Sequence, residues 1–290
     1  MIDQICVGAS IGCLYALVAQ GFALTFKTTR TLNFAVGEFM AIGAFICVAI
    51  ATVGWIPAPL KLGVAAVVVA LLACVVFRFL ISPFTAGGAH DARWLLVTVA
   101  LSLLLIDLLR NSQGTTHRAL GFAKVTGTAD LGFAQVPGQL ALMAGVSIAL
   151  AVVIAVVVTR TPLGITMQAV AEDADTAELV GIDARRVGMV SYALGSAATA
   201  VGATLWSAHV GVFPDMGPVL LVSAFAAAVI GGLTSVWGAI AGGILFGIIS
   251  QLATVWFGST VGGVAGLLAV VLILVVRPDG LFAQRIEVKV

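Results

Sequence analysis

Residues 138–158 read GQLALMAGVSIALAVVIAVVV, and residues 159–186 continue as TRTPLGITMQAVAEDADTAELVGIDARR. The first stretch holds 21 residues without one charge, and a bilayer-spanning helix needs about 20 mainly apolar residues. The second is different in kind. Pro162 suits a helix start, and Ala169, Ala174 and Ala177 with Leu179 and Val180 give a small apolar face. Glu172, Asp173, Asp175 and Glu178 give an acidic one, and Gly181 closes the run as a helix C-cap does. A span therefore leads into a short amphipathic helix outside the hydrocarbon.

Outward from this pair, eight further apolar stretches of span-like character lie near 5–26, 34–53, 62–81, 94–109, 187–206, 218–233, 238–257 and 261–276. The segment 218–233 is short and runs into Gly231-Gly232-Leu233-Thr234-Ser235, so it is a full span or a re-entrant, broken helix. The expected fold is all-α: a polytopic membrane helix bundle of about 8–9 transmembrane segments, one of them open to a re-entrant reading, in a single domain over 1–290. Composition excludes the alternatives. The chain is 61% hydrophobic and 9% charged with a mean hydropathy of +1.18, whereas a soluble domain is about 25% charged. A net charge of +1 gives no basic field for nucleic acid.

Lys and Arg placement orients the bundle. With the N-terminus outside, ten basic residues fall on inner loops and the C-terminal tail, and four (Lys61, Arg110, Arg118, Lys124) fall outside. Trp55, Trp206 and Trp256 then lie at outer helix ends and Trp94 and Trp237 at inner ones, where amphipathic rings prefer to sit. The C-terminus is expected inside, as is the acidic helix. The N-terminal stretch lacks the basic region of a cleavable signal peptide. Cys6, Cys13, Cys47 and Cys74 all fall within spans and have no CxxC spacing. They read as small buried hydrophobes. The longer outer loop, 110–136, is rich in Gly, Thr and Ala.

An amphipathic helix at a membrane can lie on lipid, but such helices carry basic polar faces and large apolar anchors. The acidic face and small apolar residues of 162–182 point to docking on another protein.

The chain resembles a permease subunit of the branched-chain (hydrophobic) amino acid ABC importers, the LivH-type family, over nearly its whole length. Gly12-Cys13-Leu14-Tyr15-Ala16-Leu17 resembles that family's G-x-x-Y-A-L opening, and Asn33-Phe34-Ala35-Val36-Gly37-Glu38 its N-F-A-x-G-E signature. Thr161-Pro162-Leu163-Gly164 with the acidic helix, Pro214-Asp215-Met216-Gly217, Ile230-Gly231-Gly232-Leu233 and Arg277-Pro278-Asp279-Gly280-Leu281-Phe282 come in the family's order. Val36 stands where members often carry His, and Gln168 where they often carry Arg. The resemblance implies a heteromeric importer. A second homologous permease would pair with this chain, two ATPase subunits would hold ATP and Mg, and an extracytoplasmic binding protein would deliver a small-molecule substrate. The setting would be a bacterial inner membrane. No cofactor would bind this chain. The stretch at 162–182 would be the coupling helix, with Thr161, Leu163, Gly164, Glu172, Asp173, Asp175, Ala177 and Gly181 as contact candidates. Outer loops 110–136 and 207–217 would receive the binding protein. Related permeases serve urea or short amides and aromatic acids, so the substrate stays open among these classes.

Pathway candidates are Tyr15, Gln20, Asn33, Phe34, Gly37 and Glu38. Glu38 is the sharpest intramembrane charge, and reads either as a structural residue at a positive helix end or as a gate. Asn33 is the expected N-cap of that helix, and Phe34 a packer or a gate. Tyr15 and Gln20 face the pathway or bond between helices. Asp107 is expected to pair with Arg110 three residues on. Gly8-Gly12, Gly238-Gly242, Gly243-Gly247 and Gly262-Gly266 have the spacing that lets membrane helices approach.

Two other classes fit less well. An ion-coupled secondary transporter would show midplane carboxylates or inverted repeats, and no convincing repeat is visible between the halves. A serine hydrolase is suggested by Gly8-Ala9-Ser10-Ile11-Gly12, but this motif lies inside a helix, and His90, His117 and His209 fall in loops away from it. No enzyme activity is expected of this chain, which also has no G-x-x-x-x-G-K-[ST] phosphate loop.

Overall fold

A computed structural model describes residues 1–52, 54–85, 93–121, 125, 127–130, 135–258, 268, 270–273, 275, 277 and 280–282. The long helices are α1 (Ile2–Thr29), α3 (Ala58–Val76), α5 (Arg93–Gln113), α6 (Gly138–Arg160), α9 (Ala184–Val210) and α11 (Val236–Phe257). A π-helical turn, Phe77–Ile81, carries α3 into the short α4 (Ser82–Thr85). All six are long and apolar enough to cross a membrane. Two shorter apolar helices, α2 (Val36–Ala51) and α10 (Met216–Gly231), have 16 residues each. At 1.5 Å per residue they are about 24 Å long, less than a hydrocarbon core of about 30 Å. The full span expected over 34–53 is corrected by this: residues 31–35 are not helical, and α2 begins only at Val36. Of the ninth expected span, 261–276, most lies outside the described residues, as do Gly262 and Gly266; Leu268, residues 270–273 and Val275 are helical. Part of the outer loop pairs as two short strands, β1 (Thr128–Asp130) and β2 (Gln135–Pro137), in antiparallel register. Its neighbour, the 117–118 stretch, meets α9's far end through a bridge from Arg118 to Val212.

Helices α1 and α9 form the axis of the bundle. Gly21 lies against Gly195, and Leu14 and Leu17 lie against Gly202, so the two run antiparallel. Around them the chain repeats itself. Helix α1 ends in a left-handed cap at Arg30, the 34–35 turn comes next, and α2 begins. Helix α9 ends at Gly211, also at positive φ, the 214–215 turn comes next, and α10 begins. The partners are reciprocal: α1 packs on α10 and α11, and α9 packs on α2 and α3. Units α1–α2–α3 and α9–α10–α11 are therefore an inverted pair, a repeat not visible in the sequence. Its contact point is a pair of glycines. A Cβ on Gly37 would lie 2.7 Å from the Gly217 carbonyl oxygen, and one on Gly217 would lie 2.7 Å from that of Gly37.

The small-residue spacing explains the rest of the packing. Gly8 and Gly12 on α1 interlock with Gly243 and Gly247 on α11, and Gly238 and Gly242 seat against Gly231 of α10. Between bilayer helices, where lipid is as apolar as leucine, such close backbone approach supplies the van der Waals contact that holds the bundle.

Candidate translocation and coupling sites

The sequence predicts one helix over 162–182 after α6. The structure has two: α7 (Pro162–Glu172) and α8 (Ala174–Leu179). The break is chemical. Asp173 adopts an extended backbone and its Oδ1 accepts the amides of Asp175 at 3.0 Å and Thr176 at 3.1 Å, while its Oδ2 accepts the Thr176 hydroxyl at 2.6 Å. An aspartate that caps the next turn cannot also continue the last one. The Thr176 hydroxyl and these amides hold the Asp173 carboxyl below the usual aspartate range. Upstream, Thr161 is extended, and Gly164 is buried so closely on the Val158 carbonyl that no side chain fits. Downstream, Gly181 has φ +88°, and Asp183 caps α9 through the Arg186 amide.

The pair presents two faces. Met167, Val170, Ala171 and Ala177 are buried against the bundle, so Ala177 packs inward and is not a contact surface. Glu172, Asp175 and Glu178 are exposed, and so are Leu163, Ile165, Leu179 at 88% and Val180 at 73%. These side chains form an apolar patch beside the acidic residues. Arg30 ties the pair to the bundle, its Nη2 donating to the Ala171 carbonyl at 2.8 Å. A cavity of about 490 Å³ opens beside it, lined by Thr29, Arg30, Phe77, Trp94, Glu178 and Arg185.

The pathway candidates do not form one site. Gln20 is fully buried and donates to the Ala151 carbonyl of α6 at 2.9 Å, a helix-to-helix bond in the core. Asn33 is also buried. It is not the N-cap of α2, which is Ala35; its Oδ1 accepts the Ala35 amide at 3.1 Å in the turn before. Glu38 is fully buried in the first turn of α2, beside the Gly37–Gly217 contact where two helix N-termini meet. Ser102 of α5 faces its carboxylate, but neither oxygen closes a hydrogen bond. The positive ends of two helices give the site a favourable field for a carboxylate. Tyr15 and Phe34 are only half-buried. Tyr15 meets Phe246 of α11 edge-on at 5.5 Å and faces Ser223 of α10, and Phe34 lies 6.1 Å from Phe225 of α10.

Three residues escape a reading of the sequence: Gly217, Ser223 and Arg30. The signal for the first is present, since Asn33-Phe34-Ala35-Val36-Gly37 and Phe213-Pro214-Asp215-Met216-Gly217 are both turn-then-helix segments with Gly at the second helical position. Ser223 is the lone hydroxyl in an apolar run. The expected Asp107–Arg110 pair is also corrected. Arg110 instead pairs with Asp215, ahead of α10, and Asn111 donates to Asp107 at 3.1 Å. The Asp215 carboxylate takes the guanidinium, and Asp107 accepts from Asn111 on its own helix instead. His117 stacks on Phe213 at 4.4 Å, and His209 lies in the last turn of α9. Ser10 donates to the Cys6 carbonyl within α1, in no catalytic arrangement. His90 is outside the described residues.

Known proteins agree with this architecture. A solved structure, PsaBC from Streptococcus pneumoniae in complex with Fab, superposes with a TM-score of 0.52 at 12% identity, covering 96% of this chain and 91% of that one, a likeness of fold. The chain is 27% identical over 282 residues to the probable branched-chain amino acid transport permease protein LivH of Methanocaldococcus jannaschii, covering 92% of this chain and 88% of that one. It is 26% identical over 295 residues to the high-affinity branched-chain amino acid transport system permease protein BraD of Pseudomonas aeruginosa, covering 98% and 96%. It is also 26% identical over 300 residues to the LivH permease protein of Escherichia coli, again covering 98% and 96%. These relatives are permease proteins and not enzymes. The family described as branched-chain amino acid transport system / permease component matches residues 4–276, and this chain, a multi-pass membrane permease, belongs to it.

Proposed function

We propose that the chain is one of two permease subunits of an ATP-driven importer for branched-chain or other hydrophobic amino acids. The observation that carries this reading is the α7–α8 pair, which offers Leu179 and Val180 outward while Arg30 and Ala177 fasten it to the bundle. Two ATPase subunits, holding ATP and Mg, grip that face from the cytoplasm, and closure of the ATPases moves the pair as a lever. The second permease completes the conduit, and an extracytoplasmic binding protein delivers the substrate at the end marked by Phe213, His117 and the Arg110–Asp215 pair. The N-terminus lies outside and the C-terminus inside in a bacterial inner membrane, a reading that the Lys and Arg asymmetry supports. A device of this kind needs one two-state element biased at both ends, and α7–α8 supplies it.

The test is reconstitution with the partner ATPases, second permease and binding protein. Leucine uptake should require ATP and survive collapse of ion gradients. Leu179→Asp should leave the permease folded and should lower transport at least tenfold, a loss of about 1.4 kcal/mol of coupling at the docking face. Gradient-driven uptake by this chain without ATPases overturns the reading.

A further inference from the structure

Helices α1 and α9 run antiparallel, so the segments that follow them, residues 30–35 and 211–215, start at opposite ends of the bundle. They converge all the same. Each closes on the first residue of the next helix through the same kind of turn. The Val36 amide donates to the Asn33 carbonyl at 3.4 Å, and the Met216 amide to the Phe213 carbonyl at 3.2 Å. One residue further on, Gly37 and Gly217 touch backbone to backbone.

Each segment is also gripped at its own end. The chain after α5 forms a strap, residues 110–118, across 211–215. Arg118 and Val212 exchange both backbone hydrogen bonds, at 2.9 and 2.8 Å, His117 stacks on Phe213, and Arg110 pairs with Asp215. The Arg118 guanidinium folds back onto α5, donating to the side chain and the carbonyl of Gln113. At the opposite end, Arg30 donates to the Ala171 carbonyl of α7. The buried Thr31 hydroxyl lies 2.7 Å from that of Thr29 and 3.0 Å from the Tyr192 hydroxyl of α9. Tyr192 is itself fully buried and packs on Phe77 at 4.7 Å. Two glycine backbones in contact have no side chain that can rotate aside. Packed contacts of this kind shift between discrete arrangements and do not deform smoothly, so a displacement of one turn is passed to the other.

We propose that the two turns are a relay through the bundle. Arg118 and Asp215 at one end, and Arg30, Thr31 and Tyr192 at the other, are positioning residues that act through the Gly37–Gly217 contact. What docks on the strap thereby alters the seating of α7, and what pulls on α7 alters the strap. This rests on the importer reading for the two occupants, the binding protein at the strap and the ATPase at α7–α8. The linkage itself belongs to this chain.

Hydrogen exchange of the full-length chain in detergent reads that linkage without any partner. Tyr192→Phe keeps the ring and removes the hydroxyl. It should speed exchange of the Val212 amide about threefold or more, the low end of what one net hydrogen bond is worth. The Gln135 amide, held by Asp3 at the same end as the strap, should keep its rate. Asp215→Asn should speed the Val36 amide by a similar factor and leave the Arg186 amide, held by Asp183, as it was. Coupling between sites is reciprocal, so a response at one end alone overturns the proposal, as does no response, or an equal rise at the control amides. The second arm uses the assembled transporter with Cys6, Cys13, Cys47 and Cys74 replaced by Ala or Ser. Arg118→Cys with Val212→Cys joins a hydrogen-bonded pair about 5.5 Å apart, within disulfide reach, and Asp215→Asn is added. Reduced, this variant should lose about threefold or more of the ATP hydrolysis that leucine-loaded binding protein stimulates; oxidised, it should regain it. The docking face carries the same substitutions in both states, so equal stimulation overturns the relay. If the exchange linkage is found while uptake proves independent of ATP, the relay stands and the motor reading falls.

Discussion

Helices α2 and α10 have the same length and a similar entry: a positive-φ cap on the preceding helix, a turn, then a glycine at the second helical position. Beyond that glycine they part. After Gly37 comes Glu38, and α2 is covered, with Phe39 packed in one cluster with Leu101 and Leu105 of α5. After Gly217 comes Pro218, and α10 keeps Val219 and Val222 open. Pro218 costs nothing there, since an amide in the first turn has no helical partner. One frame has thus been used twice, once as a buried strut that holds a carboxyl group and once as an uncharged surface. The glycine contact is common to both copies, and the residues after it differ.

The largest effect should come from breaking the frame. Gly37→Val or Gly217→Val sets a branched side chain where even a Cβ would lie 2.7 Å from the facing backbone oxygen. Backbone cannot retreat as a flexible side chain can, and overpacking costs about 1–3 kcal/mol even where neighbours adjust. Both variants should lose folded protein on detergent extraction, read as the monodisperse fraction by size exclusion. If only one does, the contact is not shared equally and the two helices are not equivalent.

Glu38 tests the strut. A fully buried carboxylate whose oxygens lack partners is costly, and an apolar replacement of similar volume is often neutral or stabilising. Glu38→Met should therefore raise the thermal midpoint, by an amount equivalent to about 1–3 kcal/mol. Uptake should fall in the same variant, because a cost of this kind is retained where it serves function. A lower midpoint with normal uptake would show the carboxylate to be an ordinary structural group.

The sequence made the class of fold plain because membrane spans need length and lack charge, and a 21-residue uncharged stretch such as 138–158 leaves no other reading. It showed the small-residue contacts as spacing: Gly8-Gly12 and Gly243-Gly247 do interlock. It also marked the acidic element after Arg160. What it hid was relational. Gly37 and Gly217 are 180 positions apart, and their meeting comes from the inverted pairing of α1 with α9, which no local pattern encodes. The exposed face of α10 was hidden for a similar reason. Apolar residues that face lipid, conduit or core are alike by composition, and only the burial of Ala224, Ala227 and Ala228 against the exposure of Val219 and Val222 separates them. The break at Asp173 was hidden by propensity, since its neighbours on both sides are good helix formers.

The two positive-φ caps sharpen the comparison further. Arg30, at φ +54°, holds a conformation that costs an L residue about 1 kcal/mol, while its counterpart Gly211, at +94°, has no Cβ to clash there. Arg30→Gly relieves the strain and forfeits the bond to Ala171. The two terms are similar in size, so stability should change by less than about 1 kcal/mol. Gly211→Ala introduces strain and removes nothing favourable, and should cost about 1 kcal/mol or more. Thermal melts of the pair in one detergent would check this. A large loss from Arg30→Gly would mean that the arginine holds α7 far more strongly than one hydrogen bond allows.

The smallest effect concerns the element between the two repeats. The Thr176 hydroxyl and the amides of Asp175 and Thr176 keep the Asp173 carboxyl ionised below the usual aspartate pKa of about 3.9. A carboxyl with a depressed pKa stabilises the folded element above its ordinary pKa, and that contribution is lost as pH falls through the lowered value. Protection of the Asp175 and Thr176 amides from hydrogen exchange, corrected for the intrinsic rate, should hold from neutral pH down to the ordinary aspartate range and be lost only at pH below it. Asp173→Asn keeps a capping oxygen and should hold part of the protection at all these values, now without pH dependence. Asp173→Ala should lose it throughout, because nothing then accepts the two amides and α7 is free to run on into α8. Because α8 carries Leu179 and leads into Val180, that variant would also turn the exposed pair away from its present direction. A folded permease with Asp173→Ala that still transports normally would show that the two-helix form of this element is not needed for coupling.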